Sequence, residues 1–203
     1  MKEIQIRSLS GEVVVLDNQT LDDLRARVRG QIVMPSDSNY DEVRKIWNAM
    51  INRRPGLIVR CGGTADVLQV VRFARQHQLL TSVRGGGHNI AGKSLQDGAL
   101  LIDLGAMRTV RVDPVTRVAV VGPGATLGDV DHETQAYGLA VPTGINSTTG
   151  IAGLTLGGGF GWLSRSFGLT ADNLIAAEVV TAEGERLLCD ENNNGDLFWA
   201  TRG

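Results

Sequence analysis

The residues with the most chemistry in them lie in one stretch, TSVRGGGHNIAGKSLQDGALLIDL, from Thr81 to Leu104. Two anion-binding patterns overlap there. Gly87 to Ser94 reads G-H-N-I-A-G-K-S and satisfies G-x-x-x-x-G-K-[ST]. In that pattern backbone N–H groups cradle phosphates, the Lys reaches them and the hydroxyl holds magnesium. Leu100-Leu101-Ile102-Asp103 then reads as an apolar strand ending in a metal-binding carboxylate. The second pattern starts upstream at Arg84-Gly85-Gly86-Gly87-His88. Its glycines let the backbone approach an anion, and the imidazole after them, with a reference pKa of ~6.5, is a nucleophile near neutral pH.

The elements around the motif favour the second pattern. A phosphate-binding loop of the first kind sits between a strand and a long helix, whose N-terminus faces the anion. Residues 79–83 supply the strand. After Lys93-Ser94 only Leu95 and Gln96 precede Asp97-Gly98, a turn signal. A crossover between parallel strands takes about a dozen residues or more, usually with a helix. No room for that helix is visible, so a nucleoside triphosphatase is the weaker reading. The dinucleotide fingerprint G-x-G-x-x-G is absent, including at Gly122-Pro123-Gly124 and from Gly157 to Gly161.

Gly is the outlier in the composition, 26 of 203 residues, above the usual ~7%. The glycines cluster among apolar residues, as expected where backbone presses on a ligand rather than in a linker. A net charge of −2 argues against a nucleic-acid partner, which favours a basic face, and leaves much of the holding of any anion to backbone N–H groups. The first residues, Met1 to Arg7, show no apolar secretory core, and no run approaches the ~18 apolar residues of a membrane helix. Cys61 and Cys189 lie at strand-like runs with no C-x-x-C partner and read as reduced core thiols. His77 and His132 read as surface histidines. A cytoplasmic location is expected, with no membrane partner and no metal site.

Along the chain, residues 1–33 read as a mixed arm. Residues 40–50 read as a helix, with Val43, Ile46, Trp47 and Met50 on one face. A strand at 57–61, a helix capped by Thr64 and the strand at 79–83 form a β-α-β unit, the first lobe, about 34–98. The second lobe, about 99–203, starts with short strands at 99–103, 109–112 and 117–121, the last two joined at Asp113-Pro114. Thr126-Leu127-Gly128-Asp129 is a capping box with Gly138 as the stop. The densest glycine tract follows. Strands at 175–181 and 185–189 pair around Glu183-Gly184, and Asn194 caps a last helix.

The two glycine tracts, Gly85 to Gly87 and Gly144 to Gly161, can each form a concave nest of N–H groups that holds an anion without Lys. With "LIDLGAMRTVRVDP", "GPGATLGDV", "GLAVPTGINSTTGIAGLTLGGGFGWLSRSFGLTADNL" and "DLFWATRG" in order around them, residues 34–203 resemble the N-terminal, PCMH-type FAD-binding domain of the berberine-bridge-enzyme-like FAD-linked oxidases, within the vanillyl-alcohol-oxidase flavoproteins. The resemblance implies an α+β fold of two lobes with FAD extended between them. It implies that His88 is bonded to the flavin 8α-methyl, and that Val83, Arg84, Gly85, Gly86, Gly87 and Asn89 line the cofactor. It implies the same for Gly144, Asn146, Thr148, Thr149, Gly150, Gly153, Gly157, Gly158, Gly159 and Gly161, with Val179 offering backbone hydrogen bonds beside the adenine.

Two positions depart from the family. Many relatives place at Asn146 a cysteine that makes a second bond to the flavin, so single attachment is expected here. Thr149 matches the residue that gates oxygen, where relatives carry Val or a bulkier aliphatic, so oxygen and another electron acceptor both stay open. The family also continues past "FWATRG" into a substrate lobe and a general base, often Tyr, and no catalytic residue is expected in these 203 residues. The chain reads as an incomplete FAD-binding part of an oxidoreductase that oxidises an alcohol or C–H group of a small organic substrate by hydride transfer, inactive alone. A non-catalytic flavin-binding module is the alternative.

Overall fold

Ile4 and Ile6 are buried while Gln5 and Arg7 are exposed, and this period of two forms strand β1 (Ile4–Arg7). It pairs antiparallel with β2 (Val13–Leu16). Asp17 then caps α1 (Asn18–Arg27), accepting the Thr20 N–H at 2.9 Å. Leu21 and Leu24 are its buried face, and the chain continues into β3 (Gln31–Val33). The computed structural model describes residues 3–202. Met1 and Lys2 of the expected arm, and Gly203, lie outside the described residues. Residues 3–33 are therefore no arm: they are three strands and a helix of the first of two units. That unit is Met1–Ala106 with Val180–Glu185; the second is Met107–Val179 with Arg186–Gly203.

In the first unit α2 (Tyr40–Val43) is one turn long, not the helix expected over 40–50. Beyond it Arg44 bonds Asp41, Asn52 and the Arg53 carbonyl, and Asn48 accepts from the Met50 N–H while donating to the Ile90 carbonyl. These polar ties hold an irregular path that lets Ile46 and Ile51 pack on the core of Val33, Tyr40, Ile58, Leu95 and Leu101. Then come β4 (Leu57–Arg60), α3 (Thr64–Gln76), β5 (Thr81–Arg84) and β6 (Leu100–Asp103). The sheet order is β3-β4-β6-β5; β3 is antiparallel to β4, and β6 is parallel to both β4 and β5. All four residues of β6 are buried, as a central parallel strand requires. Residues 99–103, expected in the second lobe, are thus the middle of the first unit's sheet, and the division falls at Ala106/Met107 rather than at 98/99. Strand pairing across distant sequence decides this, and local pattern does not carry it.

In the second unit β7 (Val110–Asp113) and β8 (Val118–Val121) are an antiparallel hairpin. Asp113 turns it by accepting the N–H groups of Val115 and Thr116. α4 (Leu127–Gln135) opens with the expected capping box of Thr126 and Asp129, and Gly138 follows at φ +67°. Arg108 pairs with Asp129, and this, with the Thr126 hydrogen bonds, holds the Asp129 carboxyl down to about 2. Then follow α5 (Ile151–Leu156), α6 (Ser164–Phe167), a 3-10 turn, β9 (Ala177–Val180), β10 (Arg186–Cys189) and α7 (Gly195–Thr201). β9 and β10 pair. Ala125, Leu127, Val130 and Ile151 are this unit's core cluster. Asn194 precedes α7 in the left-handed region but does not cap it; its amide donates to the Leu188 carbonyl instead. No helix among the described residues is long and apolar enough to cross a membrane.

Asp66, buried in the first turn of α3, ties the 29–33 segment to the unit. Its carboxylate accepts the N–H groups of Arg29 and Gly30 at 2.9 Å and of Gly62 at 2.8 Å. Asp66→Ala strands three donors, and hydrogen bonds to a charged group contribute roughly 1.5–3 kcal/mol each. We expect Asp66→Ala to lower stability by about 3 kcal/mol or more in denaturant titrations, and Asp66→Asn, which keeps one acceptor, by less.

Candidate functional site

β5 is the edge strand of its sheet, and its pairing sets which groups point where. Leu100 donates to the Leu80 carbonyl and Leu104 to the Arg84 carbonyl, each at 2.8 Å. The even-numbered residues of β5 therefore bond to β6. Val83 and Gly85 are left to direct their N–H and C=O groups along the strand's other edge. Among the described residues, the N–H groups of Gly85 and Gly86 donate to no protein acceptor.

The Arg84 guanidinium does not point to that edge. It is buried, bonded to Asp103 through Nη2 at 2.8 Å and Nε at 3.3 Å, and to the Lys45 carbonyl at 3.0 Å. Arg60 Nε lies 3.3 Å from the same carboxylate. Asp103 is therefore an ion-pair partner, and not the magnesium ligand of the first pattern. Arg84 lines a ligand through its backbone at most; its side chain anchors the loop.

Gly87 has φ +70°, a conformation that favours glycine. A Cβ there would lie 3.4 Å from Arg84 Cδ and 3.5 Å from Ile46 Cγ2. Its carbonyl accepts the Trp47 N–H at 3.2 Å. The half-buried ring of His88 stacks on the Trp47 indole, with centroids 5.0 Å apart and planes at 23°. Asn89 then turns the chain, its Oδ1 accepting the Lys93 N–H at 3.0 Å and its carbonyl the Gly92 N–H at 2.9 Å. No helix follows Ser94, as the first pattern would need; residues 85–99 are an irregular crossover between two parallel strands. The length rule for parallel crossovers is met here without a helix.

The second tract lies wholly in the second unit. Asn146 organises it: its Oδ1 accepts the Thr148 N–H at 3.0 Å and the Thr148 hydroxyl at 2.9 Å, and its carbonyl accepts the Thr149 N–H. Thr149 and Ser147 accept from Leu127 and Gly128 at the start of α4, and Gly150 forms a bridge with Thr126. Gly153 lies in α5. The N–H groups of Gly157, Gly158 and Gly161 donate to the Leu154 carbonyl, the Thr155 carbonyl and Ser164 Oγ. Gly159 accepts from Thr170. A Cβ on Gly161 would collide with the Thr143 carbonyl, and one on Gly144 would lie 2.6 Å from Leu154 Cδ1. These glycines admit close backbone packing more than they offer donors. Val179 is half-buried in β9.

Trp47 and Lys45 were not legible as site residues, and Asp103 was read only as the carboxylate of the magnesium pattern, not as the partner of Arg84. Trp47 reads as a helix-face residue, and nothing local marks its stacking on His88. Cys61 is buried, and burial, then the nearby charges of Asp66 and Asp103, push its thiol up to about 12. Burial also raises Cys189. Neither is a thiolate at neutral pH. Among the described residues no cluster of His, Cys, Asp and Glu could hold a metal ion.

The FAD binding domain family matches residues 55–190. The chain belongs to this family. It is an FAD-binding domain of the PCMH type, and the cofactor is FAD. It is 39% identical over 176 residues to (R)-6-hydroxynicotine oxidase of Paenarthrobacter nicotinovorans, covering 87% of this chain and 38% of that protein. Among solved structures it superposes on Physcomitrella patens BBE-like 1 with a TM-score of 0.86 and 33% identity, covering 90% of this chain and 40% of that one. It superposes on Phl p 4, a grass pollen allergen with glucose dehydrogenase activity, with a TM-score of 0.85 and 31% identity, covering 91% and 40%. The chain thus spans about two fifths of the relatives it matches. The first loop fits the cofactor: unpaired N–H groups suit a pyrophosphate or flavin oxygen, and a partly exposed imidazole ends the loop.

Lys93 is exposed in a loop without a helix behind it. We expect Lys93→Ala to leave FAD content unchanged, and isothermal titration with Mg-ATP to show no binding to either protein. Tight, magnesium-dependent ATP binding lost in the variant would restore the triphosphatase reading.

Proposed function

We propose that this domain holds FAD covalently through His88 and serves an oxidoreductase that takes hydride from an alcohol or C–H group of a small organic molecule. The observation that carries the attachment is the loop itself: two glycine N–H groups without protein acceptors, followed by a half-buried imidazole held by its neighbours. Bound FAD supplies the hydride acceptor, and the protein supplies binding and orientation. On this reading Val83, Gly85, Gly86, Gly87 and Asn89 meet the cofactor with backbone groups and Arg84 braces them. Gly144, Asn146, Thr148, Thr149 and Gly150 line it, Gly153 and Gly157 to Gly161 shape the surface, and Val179 bonds the adenine through its backbone. The names of the relatives support a small organic substrate: one is a hydroxynicotine oxidase, another has glucose dehydrogenase activity. They include both an oxidase and a dehydrogenase, and Thr149 at the expected gate selects neither, so dioxygen and another acceptor are both served by this reading. A cytoplasmic setting is part of the proposal.

The second reading is a flavin-binding module without turnover of its own. Steady-state assays with candidate alcohols, sugars and cyclic amines separate the two.

Acid precipitation of FAD-loaded protein, followed by gel fluorescence, tests the attachment. We expect flavin fluorescence to stay with the polypeptide, and His88→Ala to release it while keeping some non-covalent FAD. Yellow colour found wholly in the supernatant of the wild type would sink the attachment.

Asn146→Cys places a thiol where the family resemblance implies one. It also removes the two hydrogen bonds that Asn146 Oδ1 accepts from the Thr148 N–H and hydroxyl, at a cost of about 1 kcal/mol each. We expect a second flavin–peptide link by intact mass and peptide mapping, with a modest fall in melting temperature. Flavin linked to His88 alone after aerobic maturation would count against equating Asn146 with that cysteine position.

A further inference from the structure

We infer that Trp47 is the positioning residue for His88: its indole face fixes the plane of the imidazole that bonds to the flavin. The inference rests on the reading of His88 as the attachment residue.

The geometry has two parts, and they act on adjacent residues. The Trp47 backbone N–H donates to the Gly87 carbonyl, which fixes the peptide just before His88. The Trp47 ring then lies against the His88 ring, centroids 5.0 Å apart and planes 23° from parallel. Offset stacking of this kind contributes about 0.5–1.5 kcal/mol beyond the area it covers. A histidine has two rotatable side-chain bonds, and the second is broad and soft when nothing restrains it. A face laid against the ring removes most of that freedom and fixes the plane in which both nitrogens lie.

Its exposure sets the contact apart from core packing. Trp47 is 57% exposed, whereas the buried side chains of that core are Val33, Tyr40, Ile58, Leu95 and Leu101. The preceding residue, Ile46, is the one that packs on the core and lies against Gly87. The chain leaves helical geometry after α2, and on that irregular path Ile46 turns inward while Trp47 meets His88. A Trp in this place does little for the core and a great deal for one imidazole.

Orientation matters for the bond. A ring nitrogen of His88 joins the flavin 8α carbon, one N–H and one C–H give up their protons, and the electron pair released passes to dioxygen or another two-electron acceptor. The nitrogen must point at the carbon, and misplacement by about 1 Å can slow such a step ~100-fold.

The test compares wild type, Trp47→Phe, Trp47→Leu and His88→Ala, each loaded with FAD. Total bound flavin is read by absorbance, and the covalent share by intact mass against time. Every variant keeps the backbone N–H at residue 47, so only the ring changes. We expect Trp47→Leu to bind as much flavin as wild type but attach it about tenfold more slowly or worse, and Trp47→Phe to restore most of the rate. In the flavin-free protein, NMR should show the His88 ring protons shifted by the indole ring current, and shifted back in Trp47→Leu. Equal attachment rates in wild type and Trp47→Leu would overturn the role of Trp47 alone. Loss of total flavin in step with covalent flavin, in both Trp47→Leu and Trp47→Phe, would make the residue merely structural and overturn it too. Wild type that binds FAD without ever attaching it would overturn the His88 reading, and this inference with it.

Discussion

A carboxylate at the closed end of a parallel sheet must have cations against it, and Asp103 has two. It ends β6 with its side chain 4% exposed, and Arg84, at the matching end of β5, is 9% exposed. The pair is in register, Arg84 opposite Asp103, and Arg60 at the end of β4 is opposite Asp103 on the other side. Three strand ends are therefore bound by charge where the ladder stops. Removing Asp103 would leave the buried Arg84 guanidinium without a counterion, at a cost of roughly 3–5 kcal/mol. The same guanidinium reaches the Lys45 carbonyl. The start of the glycine loop is thus tied to the sheet on one side and to the irregular 44–56 segment on the other.

This explains a division of labour between the two glycine tracts that their similar composition hides. In the first tract the rigidity comes from neighbours, namely Arg84 before it, the Trp47 N–H on Gly87, and the Asn89 turn after it. Its glycines are then free to present N–H groups. In the second tract the glycines are the rigidity. Gly157, Gly158 and Gly161 use their N–H groups within the unit, and the space a Cβ would need at Gly144 or Gly161 is taken by Leu154 or by the Thr143 carbonyl. A nest of donors describes the first; a closely packed backbone describes the second.

Where the sequence was legible, one short segment contained both partners of the interaction. The Thr126–Asp129 capping box, the Asp113 turn and the glycine stop of α4 each close within a few residues, and each stands as read. The family was legible for a related reason: its loops are continuous strings of residues. The errors fall where partners are distant. β1 is too short for its alternation to stand out, and its worth depends on pairing with β2. Residues 99–103 look like the first of a run of strands, and only pairing to β4 and β5 places them centrally. The face drawn on residues 40–50 had the right spacing for a helix, but Asn48 bonds Ile90 and Arg44 bonds the Arg53 carbonyl, and these ties unwind it.

That last misreading is also the informative one. A helix through residue 50 would have put Ile46, Trp47 and Met50 on or beside one apolar face. The observed path separates them instead, so that Ile46 packs inward beside Gly87 while Met50 is almost wholly exposed. Apolar residues at helical spacing are usually core because burial is worth about 25 cal/mol per Å². Here the spacing is right and the burial is withheld from two of the three. The local chain gives up the regular hydrogen bonds of further helical turns, and side chains make replacements one by one. Such an exchange is favourable only if the irregular path brings something a helix could not, and in the first unit it delivers the Lys45 carbonyl to Arg84, the Trp47 N–H to Gly87 and the indole to His88. All three contacts converge on five consecutive residues, from Arg84 to His88, and hold the imidazole on a loop that has no secondary structure of its own.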